Sequence, residues 1–384
     1  MKVAVICIFA GKIERGAENL AYILWSRLPF ETKVFSRYGS SWTIEIFCDD
    51  VKLWKTFADF IRKTGIYRGL YQIEKITPYF DMFSKDFFDI LSFGSNLRKK
   101  LDIFQPDAII NITGSTVGFF LRRYRKERNI PFISVSGAGK NITEIKNAKT
   151  YPDAYIAQTP LMKEFIKRKS PKTVVELIPI GADLSLFSKG EKFTINELKN
   201  LNKIGDAEIE NPLILSTSAL EKQKRLDYLI LAVSKLKKGT LVFTSDGTMR
   251  EQWISLGKKL LNNRFLYLGV LDKKEIHKIY NTCDVFCLPS INEPFGNVFI
   301  EAMAANKPIV ADNDEDRKWI VGEKGGILTG VRSVDKIAEA LRKAYNTDWG
   351  DGPRKQAEKF SWDKIIRQYQ DLIEKLVKEK QQCL

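Results

Sequence analysis

Residues 289–310 read PSINEPFGNVFIEAMAANKPIV, which predicts a loop followed by a helix. The apolar run 285–288 comes before it as a strand, and the helical pattern covers 298–305. Glu293 therefore falls in the loop after a buried strand, and Glu301 falls on the helix. The free N–H groups at a helix start suit a phosphate or sugar oxygen. Two carboxylates there can accept hydrogen bonds from vicinal hydroxyls, although two solvent-facing acids would have the same spacing.

Alternation of apolar runs with helical patterns extends through both halves of the chain. A polar stretch at about 188–211, with a short helix near 195–201, separates the halves. Such alternation predicts parallel sheets with helices on both faces. The main strands are predicted at 3–9, 108–112, 131–135 and 154–157, and then at 213–216, 241–244, 265–268, 285–288 and 309–311.

The composition is that of a two-domain globular protein. The chain has 384 residues, of which 44% are hydrophobic, which is enough for two cores. The apolar stretch at 3–10 predicts a first buried strand rather than a signal peptide. Five scattered cysteines and a single histidine do not form a Cys/His zinc set. We therefore expect a cytoplasmic protein with reduced thiols.

The chain is strongly basic, with a formal net charge of +15 at pH 7. Runs of lysine and arginine occur at 98–100, 122–128 and 167–169. Aromatic residues lie near the first two runs: Tyr79, Phe80, Phe83, Phe87, Phe88, Phe93, Phe119 and Phe120. Basic residues beside exposed aromatic ones suit an anionic membrane surface, although most charge runs are only solvated faces. Nucleic acid would accept the same charge, but no nucleic-acid-binding module is recognisable, so we expect no such partner.

Several segments, in the right order along the chain, together resemble one known family. Residues 289–310 resemble the E-x7-E signature of the retaining glycosyltransferases of family 4, which have the GT-B fold. Other segments resemble further motifs of that family: 16–18 its GGAE turn, 179–187 its NGVDxxxF stretch, 219–228 its RLxxxKG segment, 245–247 its GDG turn, 268–284 its LGxV…LY…AD stretch and 360–362 its FSW helix. Each match alone is weak, but the ordered set is specific.

The resemblance implies an α/β protein of the GT-B class, with two Rossmann-like doubly wound parallel-sheet domains and an interdomain cleft. It places an N-terminal acceptor domain at 1–182 and a C-terminal nucleotide-sugar donor domain at 183–355. A C-terminal helix within 356–384 would pack back on the first domain. Residues 42–92, which are rich in aromatics and expected to be mostly helical, would belong to the acceptor half.

The resemblance also implies a donor site. Glu293 would contact the transferred sugar, and Glu301 the ribose hydroxyls. Lys224, with Arg225 beside it, would neutralise the leaving diphosphate, whose negative charge increases in the transition state. The remaining donor contacts would come from Gly16, Arg15, Gly247, Phe295, Gly296, Asn297 and Val298.

Two positions depart from the family pattern. Ala219 replaces the usual arginine of the donor site, so Arg225, Lys222 or an N-terminal residue would have to compensate, or the diphosphate is held less tightly. Ser136 stands near the position at which many members have a histidine, and the one histidine, His277, falls on a different helix. In a same-face retaining mechanism the leaving phosphate itself can take the acceptor proton, so activity does not require that histidine.

No metal and no prosthetic group are expected. The D-x-D spacings at 312–314 and 314–316 are interpreted as loop acids, because a basic phosphate site would make a divalent cation dispensable.

These features together predict a hexose transfer from a UDP- or GDP-sugar to a membrane-associated or cell-envelope glycan or lipid. The enzyme would be peripheral on the cytoplasmic face of the membrane. One alternative is a synthase that acts on a soluble sugar or sugar phosphate. A second is a non-catalytic sugar-nucleotide-binding scaffold, which Ala219 and Ser136 would favour.

Overall fold

The computed structural model of the chain describes residues 1–12, 16–46, 87–137, 139–187, 190–291 and 293–382, without the side chains of 87–91 and 273. Arg15 and most of the aromatic segment 42–92 lie outside the described residues. The chain divides into two units, Met1–Pro179 with Ile365–Leu384, and Ile180–Lys364.

The N-terminal unit contains a sheet of seven strands, all of them parallel to their neighbours. The strands are β1 (Lys2–Ile6), β2 (Glu31–Ser36), β3 (Thr43–Glu45), β4 (Ala108–Asn111), β5 (Phe132–Val135), β6 (Ala154–Ala157) and β7 (Val175–Leu177). Their order is β3-β2-β1-β4-β5-β6-β7, so the winding direction reverses between β1 and β4. In an open α/β sheet, such a reversal opens a crevice at the carboxyl ends of the strands.

Helices cover this first sheet. They are α1 (Gly16–Arg27), α2 (Phe87–Phe104), α3 (Ser115–Arg128), α4 (Ile142–Ala148) and α5 (Pro160–Lys169). Strands β1, β4, β5 and β6 are almost entirely buried, which explains their continuous apolar sequences. One core cluster joins β1, β4 and β5 to the inner faces of α2 and α3.

The C-terminal unit contains a second parallel sheet, of six strands. They are β8 (Leu213–Thr217), β9 (Thr240–Thr244), β10 (Phe265–Tyr267), β11 (Val285–Leu288), β12 (Ile309–Asp312) and β13 (Gly326–Thr329). The order is β10-β9-β8-β11-β12-β13, and the reversal lies between β8 and β11. The strand predicted at 285–288 is therefore central, as its uninterrupted apolar sequence requires.

Helices alternate with the strands of this unit along the chain. They are α6 (Leu184–Phe187), α7 (Ile195–Leu201), α8 (Leu226–Ser234), α9 (Arg250–Leu261), α10 (Lys273–Thr282), α11 (Asn297–Ala304), α12 (Glu315–Val321), α13 (Val334–Asn346), α14 (Gly352–Ala357) and α15 (Trp362–Gln382). Thr194 and Asp272 form capping boxes at α7 and α10. From Ile365 onward α15 belongs to the N-terminal unit.

The expected fold class, two Rossmann-like doubly wound parallel-sheet domains, is confirmed, with three corrections of detail. Residues 43–45 form a strand where mostly helix was expected, because they pair with β2 at the sheet edge. The aromatic Phe93 is fully buried rather than exposed beside the basic run, since α2 turns this face to the sheet. The short strands β2, β7 and β13 had no clear signal in the sequence. Within the described part of the chain, no helix has the length and apolarity to span a bilayer.

Candidate functional site

Four loops meet at the carboxyl edge of the second sheet. They follow β8, β9, β11 and β12, four strands that are adjacent in the sheet. The loop after β8 contains a 3-10 turn, Lys222–Lys224, and the backbone N–H of Ile291 after β11 donates to the Gln223 carbonyl at 3.4 Å. This edge, at the reversal of the strand order, is where doubly wound sheets bind ligands.

Lys224 and Glu293 form an ion pair between two of these loops. The Lys224 Nζ lies 2.7 Å from the Glu293 Oε2, and the two side chains are only 17% and 11% exposed. Because little water reaches the pair, its attraction is screened less than that of a surface pair. The two residues expected to meet the diphosphate and the sugar are therefore in contact with each other.

Glu301, on α11, is oriented by a chain of hydroxyl groups. The Tyr280 hydroxyl donates to the Glu301 Oε2 at 2.7 Å and lies 2.6 Å from the Thr217 Oγ1. Burial raises the pKa of Glu301, and the hydrogen bond from Tyr280 opposes that increase. Burial, and secondarily the Glu301 charge, hold the pKa of Tyr280 well above its usual value. The other carboxylate oxygen of Glu301 makes no hydrogen bond to a described residue, so it can accept one from a ligand.

The loop between the two acids requires glycine at 296. Gly296 has a φ of 85°, and a Cβ there would lie 2.6 Å from the Phe299 ring. It is the N-cap of α11, so the N–H groups of Asn297 and Val298 have no intrahelical acceptor. Phe295 is buried, with its ring edge-to-face on Phe360 at 6.1 Å, and anchors the loop.

Gly247 joins the loops after β9 and β8. A Cβ at this position would lie 2.5 Å from the Leu220 carbonyl oxygen, and the Leu220 N–H donates to the Asp246 carbonyl at 2.9 Å. Close backbone packing therefore explains this glycine without a ligand contact.

Neither position 219 nor Arg225 provides a guanidinium group that is free to bind a diphosphate. Ala219 is exposed on the loop after β8. Arg225 caps the following helix at a φ of 53°, and its guanidinium lies 3.8 Å from the centre of the Tyr228 ring. Such stacking is a favourable cation–π contact, so a diphosphate would have to draw Arg225 away from it.

Arg317, which the sequence analysis did not select, forms a hydrogen bond with the backbone of Glu293. It is only 2% exposed, and its Nη2 donates to the Glu293 carbonyl at 2.8 Å. Its backbone N–H is capped by the Asp314 side chain at 2.9 Å. The acid-rich segment around it was interpreted as loop acids, and that interpretation overlooked this buried cation. The only signal was one arginine among those acids.

The acidic side chains at the end of β12 and just after it accept hydrogen bonds from backbone N–H groups. The Asp312 Oδ1 accepts from the Asn313 N–H at 3.0 Å, and Asp314 caps α12. Among the residues described, no group of three or more His, Cys, Asp or Glu is placed to hold a metal ion.

Gly16 and Ser136 lie in the N-terminal unit. Gly16 is the first residue of α1, and nothing lies within 4 Å of a Cβ built there. Ser136 is buried after β5, and its N–H donates to the Ile156 carbonyl at 2.9 Å. Arg15, predicted beside Gly16, is not among the described residues. His277 lies on α10 of the other unit, with its ring edge-to-face on Phe187.

The basic surface of α2 and α3 is largely neutralised by ion pairs. Arg98 lies 2.6 Å from Glu127, and Arg128 lies 2.7 Å from Asp102. Phe119 is 38% exposed on the same helix as Glu127. The lysines of these helices that remain exposed are Lys99, Lys100 and Lys126.

Two relatives match part of the chain. An uncharacterized glycosyltransferase of Methanocaldococcus jannaschii is 31% identical over 171 residues, 41% of this chain and 44% of the relative. A Campylobacter jejuni N-acetylgalactosaminyltransferase, named for an acceptor linked to diphospho-undecaprenol, is 27% identical over 158 residues, 40% of this chain and 43% of the relative. Each of these two matches spans less than half the length of the relative.

Solved structures resemble the chain over almost all of its length. The sucrose-phosphate synthase of Thermosynechococcus elongatus has a TM-score of 0.72 at 18% identity, and the match covers 98% of each chain. HepE of Anabaena in complex with UDP-glucose has a TM-score of 0.68 at 16% identity, with 98% of this chain and 100% of HepE covered. At these identities the likeness establishes the fold. Residues 199–361, which include all four loops of the site, match the family of glycosyl transferases group 1.

Proposed function

We propose that the chain transfers a hexose from a nucleotide diphosphate sugar, a UDP- or GDP-sugar, to a glycan or lipid acceptor with retention of anomeric configuration. The observation that carries this proposal is the arrangement of Lys224, Glu293 and Glu301 along one edge of a parallel sheet. Two carboxylates and one cation at the start of a helix match the hydroxyl groups and the diphosphate of such a donor.

The ribose, the transferred sugar and the diphosphate of the donor would each have a chemical partner in the C-terminal unit. The oxygen of Glu301 that Tyr280 leaves free would accept from a ribose hydroxyl. Glu293 would accept from the sugar, and Lys224 would neutralise the diphosphate. Further donor contacts are assigned to Arg15, Gly16, Arg225, Gly247, Phe295, Gly296, Asn297 and Val298. The UDP-glucose bound to HepE supports a uridine donor.

The reaction would proceed on one face of the sugar. The bond from the anomeric carbon to the diphosphate oxygen breaks, and the acceptor oxygen bonds to the same face of that carbon. The acceptor proton passes to the leaving phosphate, so Ser136 in place of a histidine is compatible with turnover. Lys224 and the N–H groups at the start of α11 would stabilise the departing charge.

For the acceptor we propose a membrane-associated or cell-envelope glycan or lipid, reached by a protein peripheral to the cytoplasmic membrane face. The undecaprenol-linked acceptor of the Campylobacter relative supports this assignment, as do the exposed Lys99, Lys100 and Lys126. Flotation with liposomes that contain or lack anionic lipid tests the membrane contact. We expect binding only to anionic vesicles, and equal, negligible binding to both kinds would contradict it.

The donor assignment is tested by calorimetry and thermal shift with UDP-, GDP- and ADP-sugars. One nucleotide class should stabilise the wild type and should fail to stabilise Glu301→Ala. The control is Glu339→Ala, which removes an exposed glutamate of α13 in the same unit and should behave as wild type. No shift with any nucleotide sugar would contradict the donor site. Donor binding without hydrolysis or transfer to any acceptor would favour a non-catalytic scaffold instead.

A further inference from the structure

The ends of four helices lie along the amino edge of the first sheet. In a parallel α/β sheet each helix ends shortly before the next strand begins, so α2, α3, α4 and α5 end near the starts of β4, β5, β6 and β7. These four strands are neighbours, and α2 packs on α3, α3 on α4 and α4 on α5. The four helix ends therefore form one continuous surface.

Contacts at this edge agree with the arrangement. The Lys2 ammonium, at the start of β1, donates to the Phe104 carbonyl at the end of α2 at 3.4 Å. The Thr173 hydroxyl, just before β7, donates to the Ala148 carbonyl at the end of α4 at 3.0 Å. The end of α2 therefore lies beside the start of β1, and the end of α4 beside the start of β7.

Six exposed cations on this edge form no ion pair with a described residue. They come from the second half of α2, the end of α3, the end of α5 and the turn that leads to β7: Lys99, Lys100, Lys126, Arg168, Lys169 and Lys172. The helix dipole favours cations in the last turn of a helix. That preference does not account for Lys99, Lys100 or Lys172, which lie outside the last turns.

Four acids near these cations are already paired. Asp102 and Glu127 are each bound by an arginine, and Asp153 is bound by an arginine and a lysine. Glu164 lies 3.8 Å from Lys167. The six exposed cations therefore add a positive charge to the edge that these acids do not cancel.

Two exposed apolar residues lie beside the cations. Ile103, one turn after Lys99 and Lys100, is 79% exposed, and Val174, two residues after Lys172, is 56% exposed. Apolar side chains of this kind enter the interfacial layer of a bilayer, while lysine and arginine keep their charges at the headgroups. Binding to nucleic acid is dominated by phosphate contacts and has less use for exposed aliphatic residues, so the combination favours a lipid surface.

We propose that this amino edge is the surface by which the protein docks on an anionic membrane, with the carboxyl edge of the first sheet turned away from the lipid. The inference rests on the membrane contact in the proposed function and adds the surface and the orientation. A lipid-linked acceptor then has to extend across the sheet, roughly 15 Å for strands of four or five residues. A glycan carried on the lipid can do so, whereas a bare lipid diphosphate would remain at the other edge.

The first test is flotation with vesicles of pure phosphatidylcholine, and of phosphatidylcholine mixed with an equal amount of phosphatidylglycerol. The variant Arg168→Gln/Lys169→Gln/Lys172→Gln removes three of the exposed cations. It should bind the anionic vesicles at least about tenfold more weakly than wild type, because each cation near an anionic surface contributes roughly fivefold. Neither protein should bind the neutral vesicles.

The matched control, Lys238→Gln/Lys258→Gln/Lys259→Gln, removes the same charge from the C-terminal unit. All three lysines are exposed, and two of them lie in the last turn of α9. This variant should bind the anionic vesicles as wild type does, which separates the effect of the edge from that of net charge. Both triple variants should unfold close to the wild-type Tm, since all six side chains are exposed.

The second test measures orientation on the anionic vesicles. The variants Val174→Cys, at the amino edge, and Lys140→Cys, at an exposed position between β5 and α4 on the carboxyl edge, are labelled with a fluorophore. A quencher attached to the lipid headgroups should quench the label at position 174 and not the label at position 140. Wild type, treated in the same way, measures labelling of the native thiols.

Two results would overturn the proposal: binding of the edge variant to anionic vesicles as tight as that of wild type, or equal quenching at positions 140 and 174. Binding to a double-stranded DNA fragment through the same cations, without binding to vesicles, would assign the edge to nucleic acid instead. If wild type binds neither kind of vesicle, the membrane contact of the proposed function fails as well. Binding of UDP-, GDP- and ADP-sugars, which should be the same in wild type and both triple variants, tests the donor proposal separately.

Discussion

Because Lys224 and Glu293 form an ion pair, we expect the substitution Glu293→Gln to lower stability and to raise the affinity for UDP. Without a donor, the cation assigned to the diphosphate is bound to the acid assigned to the sugar. A diphosphate at Lys224 would compete with Glu293 for the charge of the ammonium group. The substitution Glu293→Gln should therefore weaken the ligand-free fold and at the same time strengthen the binding of UDP, which lacks the transferred hexose that residue 293 is proposed to contact.

The size of both effects follows from the burial of the pair. Exposed ion pairs contribute about 0.2–1 kcal/mol, and loss of one partner from a fully buried pair costs about 3–5 kcal/mol. With side chains 17% and 11% exposed, and a glutamine oxygen still able to accept from Lys224, we expect a loss of about 1–2 kcal/mol. In a unit of this size that corresponds to a Tm lower by roughly 2–8 °C. Released from the pair, Lys224 should bind UDP about five- to thirtyfold more tightly.

Calorimetry with UDP and thermal unfolding of wild type, Glu293→Gln and Lys224→Met would measure both quantities. Lys224→Met should lose UDP affinity, and the double variant should resemble Lys224→Met, because the gain depends on that cation. Transfer from the intact donor should fall in all three variants. If Glu293→Gln binds UDP no better than wild type, the pair does not compete with the diphosphate, and Lys224 is not its ligand.

Two further substitutions test other contacts of the site. Tyr280→Phe removes the hydrogen bond that favours the ionised form of Glu301, and loss of such a bond to a charged group should weaken donor binding about tenfold. Burial has already raised the pKa of Glu301, so donor affinity is complete above that pKa and is lost as pH falls through it. In Tyr280→Phe the pKa of Glu301 should be higher still, and the loss of donor affinity should begin at higher pH. An unchanged pH profile of donor binding would show that the Tyr280 hydroxyl does not control the ionisation of Glu301. Gly247→Ala forces a Cβ to within 2.5 Å of the Leu220 carbonyl oxygen and should cost about 1–3 kcal/mol in urea unfolding, whereas Gly16→Ala, with open space around it, should leave stability unchanged.

The sequence predicted the central strands well because their burial leaves a continuous apolar signal. Val285–Leu288 and the helix Ile195–Leu201 lie where the pattern placed them. Edge and peripheral strands were missed because partial exposure removes that signal. The strand Glu31–Ser36 begins with polar residues, and Gly326–Thr329 is only half-buried along its length. Pairing with a neighbour, which no local pattern encodes, decides these elements.

The site was only partly visible in the sequence for a related reason. Motif spacing selected Glu293 and Glu301, because each acts from a fixed place after a strand or on a helix. It could not find Arg317, whose role depends on contact with the Glu293 carbonyl from the next loop across the sheet. Nor could it distinguish Glu18, a buried acid, from an exposed acid in the first turn of an ordinary amphipathic helix.

The loss of the arginine at 219 changes how this site can hold a diphosphate. Arg317 does not restore the missing charge, because it is buried beneath the loop beside Asp314 and Asp316. Arg225 is stacked on an aromatic ring, so Lys224 and the N–H groups at the start of α11 remain as the main partners of the phosphates. Because Lys224 is already paired with Glu293, this site should bind free nucleotide weakly. It should favour the intact nucleotide sugar, since only the sugar gives Glu293 new hydrogen bonds when its pair with Lys224 opens.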